Sequence, residues 1–116
     1  MNYITLTIGD TEYKLRINTR GCVALEKALG YNPIQMFMDL DNDKLPKLTD
    51  MIVIFHAMLQ ALQHGLTLDK VYDIYDQYLA DGHTMFDLVP VFIEVFQAGG
   101  FVTASTEEAE EEAKNA

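Results

Sequence analysis

Apolar and polar residues alternate one for one near the start of the chain, in Tyr3-Ile4-Thr5-Leu6-Thr7-Ile8 and again in Tyr13-Lys14-Leu15-Arg16-Ile17. A period of two sends successive side chains to opposite faces of a strand. Between the two runs lies Gly9-Asp10-Thr11-Glu12, whose glycine can take the positive φ that tight hairpin turns need. The pattern predicts a β-hairpin with Ile4, Leu6, Ile8, Leu15 and Ile17 on a buried face. A two-stranded ribbon is marginal alone, so helices must cover it.

The period then lengthens. After Asn18-Thr19, either of which can cap a helix, Cys22, Leu25 and Leu29 recur at i, i+3 and i+7, and Gly30 follows as a stop. Pro33 precedes a short helix over 34–40. Pro46 suits the first turn of a third helix that ends by Gly65, with Met51, Phe55, Met58, Leu59 and Leu62 on one face. Thr67 caps a fourth helix closing at Asp81-Gly82. Thr84 and Asp87 form a capping box for a fifth, which stops at Gly99-Gly100. Pro90 predicts a kink or a distorted first turn there. The fold class is α+β: an N-terminal hairpin followed by a compact bundle of about five helices.

Two helices are apolar well beyond the arc of slightly more than ~100° that a surface helix needs. On the fifth, Met85, Val89, Phe92 and Phe96 centre a wide face, flanked by Leu88, Val91 and Val95 on one side and by Phe86 and Ile93 on the other. The third interrupts its apolar run from 52 to 62 only at His56 and Gln60. The two can pack on each other in the middle of the bundle. Alternatively, a domain this small has more apolar helix surface than it can hide, and the surplus serves self-association or a partner. Val89, Phe92, Ile93 and Phe96 are the interface candidates on that second reading. Met36, Met38 and Met51 would suit an adaptable contact, though methionine is also ordinary core filler.

On the fourth helix Asp69, Asp73 and Asp76 fall at i, i+4 and i+7, with Leu68, Val71, Tyr72, Ile74, Tyr75, Tyr78 and Leu79 across from them. Such a stripe is ordinarily a solvated exterior and otherwise an acidic docking face for a basic partner. The whole chain of 116 residues carries a net charge of −10, which opposes binding to nucleic-acid phosphates and anionic membranes. No apolar run approaches the length of a membrane span, and the start of the chain lacks a signal peptide's apolar block. One domain is expected over 1–102. The acidic stretch 103–116 has no apolar content to offset ordering entropy and is expected to be a disordered tail.

Catalytic and cofactor signals are weak. Asp39-Leu40-Asp41-Asn42-Asp43 opens like a calcium loop, but Lys44 stands where the turn needs glycine, and Asp50 is short for the bidentate glutamate. His56 and His64 lie two helical turns apart, too far to share an ion, and His83 has no partner in the text. Cys22 sits on an apolar stripe, where an inert buried thiol is the default. No catalytic residue, cofactor or metal is expected.

Taken together, the motifs resemble a known family. Thr11-Glu12-Tyr13-Lys14-Leu15-Arg16 leads into Leu25-Glu26-Lys27-Ala28-Leu29-Gly30, then a long apolar helix, then Leu66-Thr67-Leu68-Asp69-Lys70-Val71-Tyr72-Asp73-Ile74-Tyr75-Asp76-Gln77-Tyr78-Leu79. An apolar helix ending Ala98-Gly99-Gly100-Phe101 and an acidic tail close the chain. Over 3–102 this layout resembles the tail tube assembly chaperones of long-tailed phages of Gram-positive hosts. The resemblance implies a non-enzymatic protein that coats the tape measure protein, keeps it soluble, helps recruit tail tube subunits and self-associates. It would act in the host cytoplasm and be absent from the mature virion. Many such chaperones are made in two lengths by a ribosomal frameshift. Because Ala113-Lys114-Asn115 can be encoded with a slippery A-AAA-AAC heptamer, a −1 shift at Lys114-Asn115 is expected, with this chain the short form. The alternative from another class is an acidic phage regulatory or anti-host protein whose Asp69, Asp73 and Asp76 mimic nucleic-acid phosphates.

Overall fold

A computed structural model describes residues 2–40 and 46–103. Strand β1 (Ile4–Ile8) pairs antiparallel with β2 (Thr11–Leu15), in a register that sets Ile4 opposite Leu15 and Leu6 opposite Tyr13. The turn is only Gly9-Asp10, with Gly9 at φ 61°. The second strand therefore starts two residues earlier than its alternation suggests and leaves Ile17 beyond it, still buried. Ile8, Leu15 and Ile17 enter the core, while Ile4 and Leu6 are half-buried at its edge.

Among the described residues five α-helices follow: α1 (Thr19–Leu29), α2 (Pro33–Met38), α3 (Leu48–Gln60), α4 (Leu68–Ala80) and α5 (Leu88–Ala98). Their ends follow local chemistry. The Asn18 side chain accepts the Gly21 N–H at 2.8 Å and caps α1, which stops at Gly30. Asn32 caps α2, with Pro33 in its first turn. Pro46 is not inside α3 but two residues before it, buried. Thr67 caps α4 as its position suggests.

Ahead of α5, Met85–Asp87 forms a 3-10 turn, and the Asp87 carboxylate accepts the Thr84 N–H at 2.9 Å. Pro90 thus falls in the first turn of α5 proper, where its missing N–H costs no helical bond. The distortion it implies is met by the 3-10 entry.

The core runs through α3, which packs against α1, α4 and β2. Met51, Ile54, Phe55, Met58 and Leu59 on α3 are fully buried. Phe92 of α5 meets Phe55 at 5.8 Å and Phe37 of α2 edge-on at 6.0 Å between ring centroids, a separation favourable for aromatic pairs. Hydrogen bonds fasten the hairpin to the helices. The Arg16 N–H donates to the Met58 carbonyl at 3.1 Å. The Gln63 amide pairs with Lys14 like a further strand residue, accepting its N–H at 3.0 Å and donating to its carbonyl at 2.8 Å. At the turn, the Gly9 N–H donates to the Asp81 carboxylate at the end of α4. Among the described residues no helix is long and apolar enough to cross a membrane. Of the expected tail 103–116, residues 104–116 lie outside the described residues, Lys114-Asn115 among them, as does the loop Asp41-Asn42-Asp43-Lys44.

Candidate functional site

The four interface candidates on α5 divide. Phe92 and Phe96 are 0% and 1% exposed, inside the aromatic cluster with Phe37 and Phe55. They are core residues, which corrects their assignment to a partner surface. The reason is rotational. The buried stripe of α5 is Leu88, Phe92, Val95 and Phe96, so the face turns toward the Leu88–Val95 flank. Val89 and Ile93 are left half-buried on the other flank. The buried face of α5 is covered chiefly by α2 and β1, with Phe55 of α3 reaching Phe92.

Phe86, on the same flank as Ile93, is 48% exposed, and a larger gathering of exposed apolar side chains lies elsewhere. The N-terminal half of α3 sits beside the C-terminal half of α4, and between them opens a groove of about 440 Å³. Leu48, Thr49 and Ile52 line one wall, and Tyr72, Tyr75, Asp76 and Leu79 the other. Leu48, Tyr72 and Leu79 are 50%, 47% and 40% exposed, and Leu68 continues the α4 stripe at 38%. Large apolar side chains gathered in one groove are a stronger sign of a binding surface than the same residues scattered singly.

Sequence reading places Tyr72 and Leu79 with the core-facing set of α4. The buried members are instead Val71, Ile74, Tyr75 and Tyr78. The signal was available: at 100° per residue the apolar set of α4 spans an arc of roughly 160°, wider than one neighbouring helix covers.

Asp69, Asp73 and Asp76 are all exposed, and Asp76 forms part of the groove wall. The aspartate stripe therefore borders the apolar one. Tyr75 lies at the base of the groove, and its hydroxyl is pushed above the ordinary phenol value, chiefly by burial and then by the Asp76 charge. Tyr78 is raised as well, by burial first and then by Asp87 and Tyr75.

The remaining candidates sit apart from this groove. His56 shares a hydrogen bond of 2.8 Å with the Leu66 carbonyl and ties α3 to the loop before α4. His83 stacks on Tyr78 at 4.4 Å and lies 3.6 Å from Asp87. Cys22 is buried, and its thiol is pushed up by desolvation and by Glu26. Among the described residues no three metal-ligating side chains gather into a cluster. What the site offers is an apolar trough with one acidic rim, suited to holding a polypeptide surface.

A family model described as "Family of unknown function (DUF6096)" matches residues 2–115. No curated protein and no solved structure matches the chain.

Proposed function

The chain belongs to the DUF6096 family, and we propose that it is a non-enzymatic assembly chaperone of phage tail morphogenesis. In this reading it coats the tape measure protein, keeps that long helical partner soluble, helps recruit tail tube subunits and self-associates along it. It works in the host cytoplasm and leaves before the virion matures. The observation that carries the reading is the apolar groove between α3 and α4, with Leu48, Tyr72 and Leu79 open to a partner. The motif layout over 3–102 supplies the identity of that partner. A chaperone for an elongated helix needs an accessible apolar surface on a well-packed domain, and the groove is such a surface.

The exposed stripe Asp69, Asp73 and Asp76 supports a second reading, an acidic protein that mimics nucleic-acid phosphates against a host protein. One experiment separates the two. The full chain serves as bait in cells where the source phage or prophage replicates, and captured proteins are identified by mass spectrometry. Recovery of a very long helical protein, with or without tail tube protein, establishes the chaperone. Recovery of a host nuclease or nucleic-acid-binding protein without any tail component overturns it in favour of the mimic.

A further inference from the structure

We propose that the groove between α3 and α4 receives one amphipathic helix of the partner, its apolar ridge bordered on one flank by lysines or arginines. This rests on the chaperone reading and adds the chemistry of the segment held. The groove wall on α4 spans Tyr72 to Leu79, about 11 Å at 1.5 Å rise per residue, or two helical turns, and exposed Leu68 extends the apolar stripe beyond it. Together with Leu48 across the groove, it offers a trough for side chains spaced i, i+3, i+4 and i+7 on an incoming helix.

The rim decides the charge. At 100° per residue, Asp76, Asp69 and Asp73 follow Tyr72 around α4 within roughly 100°, on the solvent side, while Lys70 falls about 160° away. A helix lying in the trough therefore presents one flank to Asp76 in the groove wall, with Asp69 and Asp73 further out on the same side of α4. Basic residues on that flank are attracted and acidic ones repelled, which fixes both specificity and orientation. The same charges argue against two other occupants. The C-terminal stretch of this chain carries five glutamates between 107 and 112, and a second copy would bring a further net charge of −10 to an acidic rim.

The test uses the full chain and two fluorescently labelled peptides of about 18 residues, long enough for five helical turns. Both have the same leucine ridge; one carries lysines on its flank and the other glutamates. The lysine-flanked peptide is expected to bind saturably, at least roughly tenfold more tightly than the other, with affinity falling as salt rises. Leu79→Asp should weaken it by roughly tenfold or more. The pair Asp73→Lys and Asp76→Lys should reverse the preference toward the glutamate-flanked peptide. Tyr72→Ser is the second groove variant should Leu79→Asp lose its helical circular dichroism.

Equal binding of both peptides, absence of saturable binding, or affinity untouched by the groove variants overturns the proposal. So does a chain that self-associates through the groove, shown by Leu79→Asp or Tyr72→Ser dissolving an oligomer in sedimentation. Capture of tail components by Leu79→Asp bait in the pull-down would leave the chaperone reading standing while removing the groove from it.

Discussion

Gly99 lies so close to Ile17 that a Cβ added to it would stand 3.0 Å from the Ile17 carbonyl oxygen. The end of α5 is thus pressed against the backbone leaving the hairpin, joining the last helix to the first element of the chain. The second close neighbour, the Phe101 ring at 2.9 Å, is a side chain and can rotate, whereas the carbonyl cannot.

Gly99→Ala is therefore expected to destabilise the fold by about 1–3 kcal/mol, the usual cost of overpacking a filled site. Urea unfolding of the two proteins measures it. A variant as stable as the parent would mean that α5 and the hairpin exit are not in this contact.

Phe92 and Tyr72 should behave in opposite ways. Phe92→Ala removes a ring packed against Phe37 and Phe55 and should cost about 3–5 kcal/mol. Tyr72→Ala acts on a side chain 47% exposed and should change stability by about 0.5 kcal/mol or less. Thermal melts of both variants check the assignment of core and groove. Similar losses for the two would contradict it.

Tyr31 donates a hydrogen bond of 2.8 Å to Asp50, linking the α1–α2 connection to the start of α3. Burial first, then this bond and the Asp50 charge, pushes the phenol up to about 12 from its ordinary 10. A group whose pKa is raised by folding contributes fully below its unfolded value and loses that contribution as the pH climbs through the folded one. Stability should therefore fall between about pH 10 and 12, and Tyr31→Phe should flatten part of that fall. Denaturant midpoints across this range provide the measurement; identical pH curves for parent and variant would remove Tyr31 as a source.

Asp81 gives the reverse sign. The Gly9 N–H and then the Gln77 side chain hold its carboxyl below the ordinary aspartate value. Its contribution is present above the unfolded pKa and disappears as the pH drops through the folded one. Asp81→Asn should speed hydrogen exchange at the Gly9 amide near neutral pH. Unchanged protection would show that the hairpin turn is held by something else.

Several elements were legible because their cause is local. The alternation of Ile4, Leu6 and Ile8 encodes a strand. Asn18, Thr67 and the Thr84–Asp87 pair mark helix starts, since each supplies an acceptor to backbone N–H groups that no helix of its own can satisfy. The turn was harder to place, because Thr11 alternates poorly in hydrophobicity yet pairs with Ile8 through the backbone.

The sequence by itself determined the order of a hairpin and the described helices, the caps at Asn18, Thr67 and Thr84, and the aspartate stripe at i, i+4 and i+7, because each follows from residues within one or two turns of one another. Tertiary structure alone decided which side of each wide apolar helix was covered. Periodicity gives the direction of an apolar face but not the width of the neighbour that packs on it. On α5 the neighbours reach Phe92 and Phe96 and bury them; on α4 they stop short of Tyr72 and Leu79 and leave a groove.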